Sequence, residues 1–117
     1  MAQIPNHERA VVPREKVVYL LSADHPQNGG KAAFFMAFGF RPDQPDVLVI
    51  ALQAAAGSEV RSWEVRRHGR FYDMVTTIDA PDGRRPRVRL VWRVVGENGD
   101  PVLVTAYPQT RPKKEGG

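Results

Sequence analysis

Hydrophobic positions along this chain change period once, near residue 59. Ahead of it apolar residues recur at helical spacing, and after it they alternate with polar ones. Pro13 suits the first turn of a short helix over 14–21, whose Val17, Val18, Leu20 and Leu21 gather on one face. Residues 22–30 carry the Ser, Asp, His-Pro, Asn and Gly-Gly of a loop. A second helix is predicted from Lys31 to Phe38, with Phe34 and Phe38 one turn apart and Gly39 as a left-handed stop. Asp43 is placed to cap a third helix with Pro45 in its first turn, ending at Gly57. That run is apolar nearly all round, which predicts a well-buried helix, although residues 47–50 read equally well as a strand.

From Glu59 onward the pattern predicts strands over 60–68, 70–78, 86–95 and 102–107, separated by Gly69, by the turn at 80–85 and by the turn at 96–100. In the second, Tyr72, Met74, Thr76 and Ile78 share one face. In the third, Val88, Leu90, Trp92 and Val94 point one way, and Arg87, Arg89, Val91 and Arg93 the other. The expected architecture is α+β: two to three N-terminal helices packed on one face of a four-stranded antiparallel β-meander. Residues 1–12 read as an irregular segment, 13–108 as a single domain, and 109–117 as a disordered basic tail.

Composition narrows the chemistry. A chain of 117 residues can bury a core without covalent staples. It has no cysteine, which excludes disulfides, thiolate metal sites and cysteine nucleophiles. No apolar run approaches the roughly 20 residues that span a bilayer, and the N-terminus lacks the blocks of a secretory signal, so a soluble cytoplasmic domain is the expectation. Charge is uneven. Residues 1–58 hold five Lys/Arg against five acids and 59–117 hold twelve against eight, so the net charge of +4 lies in the second half. Nine arginines fall between Arg61 and Arg93 against four acids. Arg66, Arg87 and Arg93, with Arg89, suit a phosphate backbone. The same arginines also fit a solvated edge that resists aggregation. Trp63, Tyr72 and Tyr107 are candidates to stack on bases, whereas the apolar face of Trp92 assigns that residue to the core.

The loop from His25 to Lys31 is more specific. A lysine in a helix's first turn opposes the macrodipole, by roughly 0.3–1 kcal/mol at exposed sites. With Gly29 and Gly30 ahead of it, Lys31 can meet an anion at the helix start, or simply reach solvent. The spacing departs from the nucleotide phosphate loop, whose four-residue spacer and following Ser/Thr are missing. Of His7, His25 and His68, His25 is the best placed to move a proton near neutral pH; a hydrogen-bonded structural histidine is the alternative. No histidine pair stands at metal-ligand spacing, and neither a metal nor a cofactor is expected.

Asp24-His25-Pro26, Gly29-Gly30-Lys31-Ala32, Gly39-Phe40, Pro81-Asp82-Gly83-Arg84, Val88-Arg89, Val91-Trp92 and the run from Leu103 to Pro108 together resemble a small bacterial family of domains of unknown function, over residues 12–108. The order of helices then strands, ending in a Thr-x-Tyr strand, is further similar to the barnase–EndoU–colicin–RelE superfamily of metal-independent ribonucleases, many of them toxins held by a partner protein. Leu90 departs from that pattern, where a Thr is expected. The resemblance implies RNA cleavage by the 2′-hydroxyl, with His25 as acid or base, Lys31 and Arg89 clamping phosphate, and Thr105 and Tyr107 orienting the scissile group or relaying a proton. RNA and an antitoxin-like protein are the implied partners. Two readings stand beside it: a non-catalytic protein- or RNA-binding module, antitoxin-like in the first case, and a plain structural domain. A simple tight hairpin sets Trp92 near Thr105 and turns Arg89 away. Bringing Arg89 to Thr105 and Tyr107 requires a bulge, expected at residues 96–100.

Overall fold

The computed structural model describes residues 2–22 and 29–109. Helices α1 (Arg14–Leu20), α2 (Gly29–Ala37) and α3 (Pro45–Ala55) precede strands β1 (Ser62–Arg66), β2 (Gly69–Thr77), β3 (Arg87–Val94) and β4 (Val102–Pro108). The strands form one antiparallel sheet in chain order. This is the α+β meander that the change of period predicts. No described helix is long and apolar enough to cross a membrane.

Each helix shows why its local sequence works. In α1, Val17 and Leu20, with Leu21 just beyond, are buried, whereas Val18 is 46% exposed, so the apolar face is narrower than expected. In α2, Gly39 at φ +101° ends the helix. The Gly39 N–H donates to Met36 O and the Phe40 N–H to Phe35 O, at 3.0 and 3.3 Å. These are the two bonds of a Schellman motif, and the rings of Phe35 and Phe40 close it 6.2 Å apart. In α3 the expected cap is not used: Gln44 is the N-cap residue and makes no side-chain bond. Asp43 accepts from Arg41 instead, with both of its oxygens at 2.9 Å, and this bond to Arg41 holds the Asp43 carboxyl below the usual carboxylate range. Pro45 still opens the helix. The expected deep burial of α3 is corrected as well. Leu48, Ala51, Leu52 and Ala55 form a single buried stripe, and Ile50 is 65% exposed.

The core lies between the helices and one sheet face. Val88, Leu90, Trp92 and Val94 of β3 are buried against Tyr72 and Met74 of β2 and Leu103 and Ala106 of β4. Burying each large apolar side chain contributes about 1.5–3 kcal/mol relative to exposure. Trp92 is fully buried, yet its indole N–H meets no acceptor among the described residues, which costs about 1–3 kcal/mol. The segment before α1 joins this core through Ile4, Ala10 and Val12. Val11 pairs in parallel with Val102 and accepts from the Leu103 N–H at 3.0 Å, covering the start of the β4 edge.

A Cβ at position 39 would lie 3.2 Å from Pro81 Cβ and 3.3 Å from the Asp82 backbone nitrogen, at a φ that L-residues rarely adopt. Gly39→Ala is therefore expected to cost about 1–2 kcal/mol, read as a lower urea midpoint at unchanged m-value.

Candidate functional site

The side chains that alternate away from the core define the opposite sheet face. No described helix packs on it. Strand pairing sets its rows: Val75–Arg89–Tyr107, then Asp73–Val91–Thr105, then Phe71–Arg93–Val102. Arg89, Thr105 and Tyr107 thus share one face. The device is a bulge, but its place differs from the expected one. The register shifts between Val91 and Trp92, which pair with Thr105 and Leu103, so Val104 is the extra residue. The loop at 96–100 is not where the register changes. The bulge also explains why the buried residues of β4, Leu103 and Ala106, stand three apart instead of two. The carbonyl of Val104 accepts from Lys16 Nζ at 2.8 Å, so α1 satisfies the group that the bulge exposes.

On this frame two cations meet one phenol. Lys31 Nζ, from the first turn of α2, lies 4.6 Å from the centre of the Tyr107 ring, and the Arg89 guanidinium lies 5.8 Å from it. The ring attracts both and holds them close despite their like charge. Arg89 is anchored from its other side. Its Nε and Nη2 donate to Asp73 Oδ2 at 3.0 and 2.5 Å. This hydrogen bond, then the charge of Asp73, and last the nearby Tyr107, raise the Arg89 guanidinium above its ordinary value, so it stays charged. Among the described residues Nη1 has no hydrogen-bond partner, and Arg89 is 44% exposed at its side chain. Tyr107 is 40% exposed and Thr105 half-buried beside it. A concavity of about 420 Å³ opens on the β1 side of Arg89, lined in part by Glu64, Phe71, Asp73 and Val91.

Asp73 was not singled out by sequence reasoning. The signal was present, since alternation places it opposite Tyr72 and Met74 on the arginine face. Its second oxygen, Oδ1, is buried and without a partner among the described residues. Lys16 was likewise read only as a helix residue. The remaining sequence candidates separate. Arg87 and Arg93 lie on the open face of β3 with no ion-pair partner among the described residues. Arg66 is bound to Glu64 and lies 4.7 Å over the Phe71 ring, so its charge is already countered. His25 lies outside the described residues. Trp63 stacks on Tyr72, with ring centres 6.1 Å apart. Arg84 is structural: it donates to Asp82 at 2.7 Å and to the carbonyl of Ala37 at 3.0 Å, closing the end of α2, and covers the Phe38 ring. No group of three or more His, Asp or Glu among the described residues could hold a metal ion.

Deleting Val104 should cost about 2–5 kcal/mol in urea unfolding, because Leu103 and Ala106 can then no longer both reach the core. Val104→Ala keeps the residue count and should cost no more than about 1 kcal/mol.

Comparison with curated proteins finds no match. Among solved structures, one chain of the contact-dependent growth inhibition toxin–immunity protein complex from Klebsiella pneumoniae 342 superposes with a TM-score of 0.72, at 17% identity, over 91% of this chain and 98% of that one. At that identity the likeness is one of fold. A family model described as a domain of unknown function, DUF6883, matches residues 3–110, and the chain belongs to that family.

Proposed function

We propose that this protein is a toxin-like, metal-independent endoribonuclease, paired with a neutralising protein. The observation that carries the reading is the convergence of Lys31 and Arg89 on Tyr107 at a sheet face on which no described helix packs, with Thr105 beside them. Two fixed cations and two hydroxyls suit a phosphodiester that gains charge on the way to a phosphorane. The fold likeness to a chain of a toxin–immunity complex supports the toxin-like part and the protein partner.

In this reading Arg89 Nη1 and Lys31 Nζ hold the non-bridging oxygens of the scissile phosphate. Asp73 positions Arg89 without touching the substrate. His25, six residues ahead of Lys31 in the chain, takes the proton from the 2′-hydroxyl as the O2′–P bond forms. Thr105 orients the phosphate, and Tyr107 passes a proton to O5′ as the P–O5′ bond breaks. The products are a 2′,3′-cyclic phosphate and a free 5′-hydroxyl. Arg87 and Arg93 extend the cationic track along β3, which makes binding salt-dependent.

The purified protein should cleave single-stranded RNA in EDTA and leave cyclic phosphate and 5′-hydroxyl ends. Joint replacement of Lys31 and Arg89 by Ala should lower the rate by about 10²–10³, and Tyr107→Phe by about 10², with circular dichroism unchanged. Salt-dependent RNA binding by the wild type with no cleavage would assign this face to a non-catalytic module and sink the nuclease reading.

A further inference from the structure

The two edges of the sheet are treated differently. The β4 edge is bridged by Val11 and receives Lys16 on the Val104 carbonyl. Along β1, no backbone hydrogen bond from another described residue reaches the outer edge. Every residue of β1 is exposed, and the strand contains no proline or bulge. Its two charged side chains, Glu64 and Arg66, counter each other in one ion pair, so the short edge carries no net charge to repel another strand. Trp63 is 58% and Val65 69% exposed, side by side on the face that elsewhere carries the core. Glu64 and Arg66, already joined as an ion pair, stand on the other.

We infer that β1 pairs with β1 of a second copy of this chain, antiparallel and centred on Val65. The strand segment Glu64-Val65-Arg66 is self-complementary in that register. Val65 meets its own counterpart, and Glu64 faces the partner's Arg66 twice over. The two Trp63 and two Val65 side chains then form one continuous apolar strip. Moving the centre by one residue, to Glu64, sets two carboxylates directly opposite each other, which is destabilising. Charge therefore selects both the occupant and its register. The contact is short, so the dimer is dissociable and grows in with concentration. The two-fold axis runs through the sheet, so both arginine faces lie on the same side of an eight-stranded sheet. By register each Arg89 lies level with residue 60, five residues from the two-fold. The two Arg89 clusters are therefore offset by about ten residues along the strands and five spacings across them, roughly 40 Å apart. The inference does not depend on the nuclease reading.

The absence of cysteine gives a direct test. Residues directly opposite in antiparallel strands have Cα atoms about 4.5–5.5 Å apart, within disulfide reach. Val65→Cys should cross-link to a disulfide dimer under mild oxidation, whereas Glu64→Cys and the exposed Ile50→Cys should remain monomeric. Light scattering on the wild type should show the mass rising from 13.1 kDa towards twice that value with concentration. Val65→Lys, at an exposed position that leaves the fold intact, should abolish the rise. A single 13.1 kDa species at every concentration up to the millimolar range, or cross-linking through Glu64→Cys in place of Val65→Cys, would overturn the proposal.

Discussion

One extra residue in β4 governs both faces of this protein. A regular strand alternates strictly, so Leu103 and Ala106, three residues apart, cannot both turn inward. Val104 absorbs the mismatch. With it, Leu103 fills the core beside Trp92, and Ala106 stands opposite Leu90. The same shift places Thr105 and Tyr107 outward, beside Val91 and Arg89. Core packing and the candidate site are thus set by a single register choice. The choice is stabilised locally, because Lys16 binds the carbonyl that the bulge turns out of the ladder and Val11 continues the pairing next to it. Helix α1 and the segment before it act on the site from a distance, through the backbone of β4.

The electrostatics of the open face depend less on the number of arginines than on their partners. Arg66, Arg84, Arg85 and Arg89 each meet a carboxylate: Glu64, Asp82, Asp79 and Asp73. Exposed pairs of this kind are screened by solvent and add little stability, so their main effect is on where free charge remains. Asp73 differs from the others because its side chain is only 18% exposed and it holds Arg89 through two donors. The result is a guanidinium with fixed direction beside Tyr107, in place of a freely moving one. Fixing the direction of a cation before a ligand arrives is what makes it effective against developing charge.

Much of the fold was legible because it rests on local rules. The period change at residue 59, the Gly39 stop and the Pro45 start each act within a few residues, and the alternation of Val88, Leu90, Trp92 and Val94 against Arg87, Arg89 and Arg93 gives the sheet two distinct faces. What was not legible depends on competition between distant or equivalent partners. Asp43 has a helix to cap and Arg41 two residues away, and the ion pair wins. The exposure of Ile50 depends on which side of α3 turns towards the core, which apolar content alone cannot show. Asp73 lies sixteen residues from Arg89 in sequence, and only the pairing of β2 with β3 makes them neighbours. The three-residue spacing of Leu103 and Ala106 was a written sign of the bulge, but it was visible only after both were known to be buried.

The asymmetry of the sheet edges connects these observations. The edge beside the candidate site is held by α1, α2 and the N-terminal segment, all of which must stay in place if Lys31 is to meet Tyr107. That edge cannot also accept another strand without displacing them. The opposite edge carries no such duty, since Trp63 and Val65 are exposed there and, among the described residues, Asp73 of β2 is what holds Arg89 from that side. Pairing through β1 therefore adds surface without disturbing the register on which both the core and the charged face depend. The bulged side of the sheet is committed to holding the site, and the regular side is free to meet another chain.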